Sequence, residues 1–390
     1  MNNQDRKSAD SSHSRLTLRL TLFLFSLMLT FLVIEMYYRI FNPFPYFSTD
    51  NINITEHGNL SEYSPLIGWK GKPGGKTQFT TENNSVWLEN NSMGFRDIEH
   101  DKSSKKLGIV FLGDSFTWGY EVDFEDMFVN LLMDKLRDYE IYNLSHRGYG
   151  TDQELLTFEN WRYQGQIKLV VLMFTGNDVD NNNSELQYGK PKPKFEIVRK
   201  KLVLTGVPVV KSPKWNETHK PYVLNDTWKE IIKECLFKSQ FLHAIYICYR
   251  DFKARNNNHN NSELLQETLQ DLTLTSGILK ELKITVESRG AKLIIFFIPS
   301  VNEIENLSNS PPYQRKIAEL CKKLSITCFD LAPALKETWR TPYYHYNGHW
   351  NAYGHKVAAE AIYNLLISGT DLNLRSIKAN NIGKTIRDAF

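Results

Sequence analysis

The chain has 390 residues and a formal net charge of +3 at neutral pH. This length allows a large hydrophobic core, and so small a charge excludes the strong basic bias of many nucleic-acid-binding proteins. No pair of its cysteines (235, 248, 321 and 328) has the Cys-x-x-Cys spacing of a zinc or redox site. We interpret them as small buried apolar residues, although a disulfide between Cys321 and Cys328 stays open outside the cytoplasm.

The N-terminus combines a polar tail with a long apolar segment. Residues 1–19 carry four Lys or Arg, and residues 20–38 are almost uniformly apolar apart from Glu35. We predict a cytoplasmic tail over 1–19 and a single transmembrane anchor over 20–38, with the rest of the chain extracytoplasmic. A cleaved signal peptide is the main alternative, but no small-x-small cleavage pattern follows. The second alternative is that residues 20–38 form a buried helix in the core of the protein.

Residues 39–105 are rich in Pro, Asn and Gly, and they include a segment from Asn91 to Asp97. This composition predicts loops and short strands. We expect an extracytoplasmic extension that packs on the domain that follows.

Apolar runs and amphipathic segments then alternate over residues 106–368. Strands are predicted at 107–112, 140–144, 168–174, 291–299 and 326–330. Helices are predicted around 125–138, from about 152, and at 264–289, 312–324 and 354–367. This alternation indicates the α/β class, as a flavodoxin-like three-layer α/β/α sandwich with about five parallel strands. The tail over 369–390 is polar.

Residues 181–262 interrupt the alternation. The sequence predicts a hairpin (195–198 with 202–204), helical spacing over 228–249 and a polar loop over 256–261. We interpret this insertion as lying over the carboxyl edge of the sheet, and whether it is a lid or a surface decoration stays open. The basic run from Lys190 to Lys194 is interpreted as a solvated face.

Four residues stand where a parallel sheet holds its chemistry: Ser115, Gly148 and Asn177 follow strands, and His349 precedes the last helix. Acyl transfer needs a nucleophile, a base and donors for an oxyanion. Ser115 supplies the first and His349 the second. The N–H groups of Ser115 and Gly148 and the amide of Asn177 supply the third. A phosphate-binding α/β protein is disfavoured, because no phosphate loop follows a strand.

The sequence resembles the SGNH/GDSL hydrolase superfamily, whose four blocks supply a Ser, a Gly, an Asn and a His in this order. The matching segments are Gly113-Asp114-Ser115-Phe116, Asn143-Leu144 through Gly148-Tyr149-Gly150-Thr151-Asp152-Gln153, Gly176-Asn177-Asp178, and Gly348-His349-Trp350-Asn351-Ala352-Tyr353-Gly354-His355. The resemblance implies a serine esterase or acyltransferase with no metal and no cofactor.

One position departs from the family pattern. The superfamily usually has an Asp two or three residues before its catalytic His, where this chain has Asn347 and Tyr346. An Asn carbonyl can orient the imidazole but carries no charge to stabilise its protonated form. A slower Ser–His dyad, an acid from elsewhere and an inactive enzyme all remain open. Our hypothesis is that Asn347 orients His349.

We therefore expect a membrane-anchored enzyme that removes or transfers an acyl group, chiefly acetyl, on a glycan or other surface polymer. Its partners would be an acylated glycan or lipid-linked substrate and the membrane, and not nucleic acid. Hydrolysis and transfer share an acyl-enzyme and are not distinguished. The alternative is a catalytically impaired glycan-binding or assembly protein, which the Asn at 347 would favour.

Overall fold

The computed structural model describes residues 3–41, 60–80, 85–163, 165–211, 238–261, 272–306, 311–338, 340–344 and 348–368. Within them the helices are α1 (Asn3–Phe41), α2 (Ser115–Trp118), α3 (Phe128–Lys135), α4 (Thr151–Asn160), α5 (Asn177–Asn183), α6 (Gln240–Asn261), α7 (Thr273–Ser288), α8 (Val301–Asn306), α9 (Pro312–Lys323), α10 (Ala332–Lys336) and α11 (Ala352–Ser368). The strands are β1 (Ser61–Ser64), β2 (Gly68–Gly71), β3 (Lys76–Thr80), β4 (Ser85–Glu89), β5 (Leu107–Gly113), β6 (Tyr139–Asn143), β7 (Ile167–Phe174), β8 (Leu186–Gln187), β9 (Lys190–Pro191), β10 (Lys194–Val198), β11 (Lys201–Thr205), β12 (Lys292–Phe297) and β13 (Thr327–Asp330).

Five parallel strands form the central sheet, in the spatial order β13-β12-β7-β5-β6. Of these five strands, β5 comes first along the chain and lies inside the sheet, whereas β6 comes second and lies at the edge of the sheet. This is the flavodoxin-like order, so the predicted fold class is confirmed. All five predicted strands are present, within two residues of their predicted ends.

Helices cover both faces of this sheet, and β5 shows why its sequence is continuously apolar. Ile109 and Phe111 belong to a core shared with α3 and α11, whereas Val110 and Leu112 belong to a core shared with α4 and α7. All four side chains are fully buried. A strand covered on both faces has no position at which a polar side chain would reach water.

Helix bounds depart from prediction at several places. The predicted helix at 125–138 is a 3-10 turn, Phe124–Asp126, followed by the short α3. Residues 264–271 lie outside the described residues, and α7 begins at Thr273. The predicted polar loop over 256–261 is wrong, because the backbone of α6 continues to Asn261. Extending an existing helix costs little per residue even for Asn, whereas starting one is expensive.

The N-terminal extension forms two antiparallel pairs, β1 with β2 and β3 with β4, and it packs against the segment that follows β5. The Arg96 side chain is fully buried and donates to the carbonyl oxygens of Trp118, the last residue of α2, and of Gly119 and Val122, which follow this helix. Burial lowers the pKa of Arg96 to about 10. Arg96 therefore fixes the chain that leaves the turn at Ser115.

The interpretation of the basic run as a solvated face is wrong. Lys190 and Lys192 are buried, and the Lys192 ammonium lies 2.5 Å from the carboxylate of Asp152 and 2.6 Å from the Asn181 carbonyl. Lys190 and Lys192 thus turn inward, whereas Lys194 pairs with Glu185 near the surface. The first part of the insertion is thus joined to α4 and α5.

Helix α1 contains the predicted anchor. The segment Leu16–Phe41 is long and apolar enough to cross a membrane, and its apolar stretch is not buried against the rest of the protein. Cys248, Cys321 and Cys328 are free thiols. The disulfide between Cys321 and Cys328 that the sequence left open is therefore not formed. Cys235 and the tail over 369–390 lie outside the described residues.

Candidate active site

Ser115 lies at the first position of α2, directly after β5. The Asp114 carboxylate caps this helix by accepting a hydrogen bond from the Phe116 N–H at 3.0 Å. A Cβ at Gly113 would lie 2.1 Å from the Thr117 hydroxyl oxygen, so only glycine fits where the strand turns into the helix. The turn is tight enough to place the Ser115 hydroxyl at the carboxyl edge of the sheet.

His349 directly precedes Trp350, which forms an isolated antiparallel bridge with Tyr343. The His349 carbonyl accepts from the Tyr344 N–H at 2.8 Å, and Gly348 adopts a left-handed conformation with φ of +74°. The His349 Nε2 atom lies 2.7 Å from the Ser115 Oγ atom. With Nε2 unprotonated, the hydroxyl donates to the imidazole, as a serine nucleophile does to its base.

Aromatic rings hold the imidazole from its sides. The ring centroids of Tyr120 and Phe116 lie 4.5 Å and 5.0 Å from that of His349. Trp350 is completely buried, and its ring packs edge-on against Phe116. Because Phe116 directly follows Ser115, the nucleophile and the base are packed against each other through one aromatic cluster.

Asn177 follows β7 and is the first residue of α5. Its amide nitrogen lies 3.3 Å from an Asp114 carboxylate oxygen, which also accepts from the Thr175 hydroxyl at 3.3 Å. Asp114 thus joins the ends of β5 and β7. Burial raises the pKa of Asp114, while its hydrogen bonds act in the opposite direction. The role of Asp114 was not predicted from the sequence; its position directly after a predicted strand and before Ser115 was the available signal.

Gly148 lies in the loop after β6 and has a left-handed φ of +75°. A Cβ at this position would lie 2.5 Å from a ring carbon of Tyr188. Glycine therefore meets two demands: the backbone conformation, and the close approach of a tyrosine from the insertion. The N-terminal extension supports the same loop, because the Tyr149 hydroxyl donates to the Trp69 carbonyl at 2.8 Å.

Two cationic side chains border this loop. The Arg147 guanidinium lies over the rings of Trp118 and Tyr120, 5.9 Å and 5.5 Å from their centroids. Burial lowers the pKa of Arg147 to about 10, and burial together with Arg147 lowers the pKa of Lys190 to about 7. Arg147 was not predicted as a site residue, since nothing in the sequence places it beside Trp118 and Tyr120.

Two other histidines lie nearby and are less suited to act as the base. Burial lowers the pKa of His146 to about 4 and that of His355 to about 3. The His355 Nδ1 atom accepts from the Phe128 N–H at 3.2 Å, and a His146 nitrogen lies 3.1 Å from the Ser61 hydroxyl. Both rings therefore bond to parts of the scaffold rather than to Ser115.

The structure brings together most of the residues that the sequence singled out. Ser115 and His349 are in hydrogen-bonding contact, Asn177 is tied to the residue before Ser115, and Gly148 follows the strand next to β5. Asn347 lies outside the described residues, so its orienting role stays a prediction.

Residues 111–357, more than half of the chain, match the GDSL-like Lipase/Acylhydrolase family. A comparison with curated proteins gives no match.

Solved structures of similar proteins include a member of the lipolytic protein G-D-S-L family from Veillonella parvula. It is 13% identical, the match covers 67% of this chain and 98% of that one, and the TM-score is 0.35. A GDSL-like lipase from Bacteroides thetaiotaomicron is 12% identical, with 70% and 93% covered and a TM-score of 0.34. On the family match, the resemblance to the GDSL hydrolases is confirmed: this chain belongs to the GDSL-like lipase/acylhydrolase family of ester-hydrolysing enzymes.

Proposed function

We propose that the chain is a membrane-anchored serine esterase or O-acyltransferase acting on ester-linked acyl groups, chiefly acetyl, of a glycan or other surface polymer. The observation that carries the proposal is the 2.7 Å contact between the Ser115 hydroxyl and the His349 imidazole. In its support, the Asp114–Asn177 contact holds an amide donor beside the nucleophile.

The reaction starts when the Ser115 Oγ atom attacks the ester carbonyl carbon and its proton passes to His349 Nε2. The carbonyl oxygen becomes an oxyanion that accepts from the N–H groups of Ser115 and Gly148 and from the Asn177 amide. Collapse of this intermediate breaks the bond to the alcohol, which leaves with the proton from His349. Water or a sugar hydroxyl then attacks the acyl-enzyme by the same steps.

The apolar helix supports the extracytoplasmic part of the proposal. Basic residues precede Leu16–Phe41, which favours a cytoplasmic N-terminus and a catalytic domain on the other side of the bilayer. An enzyme tethered in this way meets surface polymers or lipid-linked substrates rather than cytoplasmic esters.

The proposal is tested with the full chain in detergent or vesicles, with p-nitrophenyl acetate as the ester. We expect turnover that is lost in Ser115→Ala and retained in Ser103→Ala, which changes an exposed loop serine. A fluorophosphonate should label the parent protein and not Ser115→Ala. Absence of both turnover and labelling would refute the catalytic proposal.

Hydrolysis and transfer are distinguished by adding a polysaccharide acceptor. Transfer predicts an acetylated polysaccharide by mass spectrometry and faster release of p-nitrophenol, whereas hydrolysis predicts only acetate. Polysaccharide binding that survives Ser115→Ala, in a parent protein without esterase activity, would instead support a glycan-binding function.

A further inference from the structure

Helix α6, in the insertion, begins against the side of the apolar helix α1. The Glu35 carboxylate of α1 accepts hydrogen bonds from the Ser239 hydroxyl at 2.8 Å and from the N–H groups of Gln240 and Phe241 at 3.1 Å and 2.9 Å. These N–H groups belong to the first turn of α6, which has no intrahelical partners for them. A residue of α1 therefore caps α6, which explains a carboxylate within an otherwise apolar segment.

The contact extends along α1 in both directions from Glu35. Phe31, one turn before it, packs edge-on against Phe241 with ring centroids 5.4 Å apart. Arg39, one turn after it, pairs with Glu35 at 2.7 Å and donates to the Lys238 carbonyl at 3.0 Å. At 1.5 Å per residue, the contacts span about 12 Å of α1. Helix α6 thus starts at a defined depth on α1, close to its C-terminal end.

The outer face of α6 is an exposed apolar stripe. Ile245, Cys248, Tyr249 and Phe252 are spaced so that they share one side of a helix, and all four are exposed. Tyr249 and Phe252 are 62% and 63% exposed. The other side of the helix is buried, with Ala244 and His243 inside. Water-exposed aliphatic and aromatic side chains in a stripe of this length need a covering phase or partner.

We propose that α6 is a second membrane-contacting element, whose stripe Ile245–Cys248–Tyr249–Phe252 lies among the lipids beside α1. The inference rests on the proposed role of α1 as a membrane anchor. The stripe starts at the contact with α1, because Phe241, which packs on Phe31, lies one turn before Ile245 on the same side of α6. Leu32 and Met36 are exposed on the same stretch of α1. We therefore assign lipid rather than protein as the occupant.

Position along α1 supports this assignment. Glu35 lies six residues before the end of α1, or about 9 Å from it, so the start of α6 would lie near the level of the lipid headgroups. Tyrosine suits that level because its ring is apolar and its hydroxyl can reach water.

The arrangement has a consequence for the enzyme. The insertion that contains α6 also places Tyr188 over Gly148 and Lys192 against Asp152. A membrane contact at α6 would therefore hold the catalytic edge at a fixed orientation to the bilayer, instead of leaving the domain to swing on one helix. An enzyme held in this way is suited to substrates that are themselves close to the membrane surface.

The test is photo-crosslinking of the full chain in vesicles of phosphatidylethanolamine and phosphatidylglycerol. p-Benzoylphenylalanine replaces Tyr249 in one variant and Leu27 of α1 in a second. It replaces Ile284 of α7 in a third, an apolar residue that is 49% exposed on a helix packed against strand β12 of the central sheet. Mass spectrometry then measures phospholipid adducts. We expect adducts at Leu27 and Tyr249, several-fold more abundant than at Ile284.

Each other outcome has a defined meaning. If phospholipid adducts form at Leu27, but those at Tyr249 are no more abundant than those at Ile284, the inference is overturned and the anchor at α1 stands. Crosslinked dimers at Tyr249 without lipid adducts would overturn it in favour of a second copy of the chain. No adducts at Leu27 would refute the anchor and the inference together, while the esterase test of Ser115 would be unaffected.

Because the aromatic replacement is conservative, the Tyr249 variant should fold; retained turnover of p-nitrophenyl acetate verifies this. A second readout is Ile245→Glu, which places a carboxylate in the stripe. It should increase the reaction of Cys248 with a water-soluble maleimide in vesicles several-fold, and an unchanged reaction rate would contradict lipid contact.

Discussion

At the residue scale, Asp114 shows how one buried carboxylate can contact two parts of the proposed catalytic site. One oxygen caps the helix that begins with Ser115, and the other contacts the Asn177 amide. The cap fixes the helix that begins with the proposed nucleophile, and the second contact orients the proposed oxyanion donor. A carboxylate buried for these two contacts is expensive to ionise, and its raised pKa is the result of that burial.

Asn177→Ala should lower kcat by about 10²–10³-fold with little change in KM, because the lost amide bonds mainly to the oxyanion. Asp114→Asn should cause a smaller loss, since Asn can still cap the helix but presents an amide to Asn177. Steady-state kinetics with p-nitrophenyl acetate measures both. Asn160→Ala, which removes an amide at the far end of α4, is the control; equal kcat losses in Asn177→Ala and Asn160→Ala would refute the oxyanion role.

Asn347→Asp tests how the imidazole of His349 is oriented. If Asn347 accepts the Nδ1 hydrogen bond, an Asp there keeps the geometry and adds a charge that stabilises the imidazolium. We expect a modest gain in kcat and no change in fluorophosphonate labelling at Ser115. A gain of several orders of magnitude would mean that the native site is impaired, and a loss would mean that the acid comes from elsewhere.

Sequence was sufficient for residues whose chemistry is local and insufficient for those whose partners are distant. Ser115, Gly148, Asn177 and His349 could be predicted because each follows a strand or precedes a helix in a recognisable block. Arg147 could not, because its place over Trp118 and Tyr120 depends on how two loops meet.

At the element scale, the segment after α5 is held to the catalytic domain by a fully buried ion pair. The side chains of Lys192 and Asp152 are completely inaccessible, and Lys192 also donates to the Asn181 carbonyl. This pairing could not be predicted, because a run of alternating Lys and Pro has no apolar pattern. The buried acid that attracts Lys192 lies 40 residues away in the chain.

Lys192→Met should destabilise the fold by about 3–5 kcal/mol, because it leaves the Asp152 charge buried without its partner. Urea unfolding followed by circular dichroism measures the loss. The double variant Lys192→Met/Asp152→Asn should recover part of it. Lys194→Met is the matched control two residues away, since Lys194 pairs near the surface with the exposed Glu185 and should cost about 0–1 kcal/mol. Equal losses at positions 192 and 194 would contradict the role of the buried pair.

The central strands and the hairpin of the insertion were predictable, and the start of α6 was not, for one physical reason. A strand covered on both faces must be apolar throughout, which is visible in residues 107–112 without a structure. The helix α6 is stabilised by a cap from Glu35, about 200 residues earlier in the chain, so its start has no local signature.

At the scale of the whole molecule, the fold gathers acids behind its active site. Asp114, Asp152, Glu154 and Asp178 are all buried at the carboxyl edge of the sheet. Within the described part of the chain, neither carboxylate oxygen of Glu154 has a hydrogen-bond partner. Burial, together with the neighbouring carboxylates, raises the pKa of Glu154 and of Asp178 well above their ordinary values.

These shifts make the stability of the whole molecule depend on pH in a defined direction. A carboxyl whose pKa is raised by folding binds its proton more tightly in the folded state than in the unfolded chain. Stability is therefore greatest where Glu154 is protonated in both states, and it falls as pH rises from the unfolded pKa toward the raised folded pKa.

Glu154→Gln replaces the protonated acid with a neutral side chain of the same shape that cannot ionise. Its free energy of unfolding should match that of the parent near pH 4 and exceed it increasingly as pH rises, because only the parent has to ionise a buried acid. Urea unfolding at a series of pH values measures the difference. Glu319→Gln changes an exposed carboxyl on α9 and should keep the pH dependence of the parent. A Glu154→Gln curve that runs parallel to the parent curve over this range would show that Glu154 is not protonated in the folded enzyme.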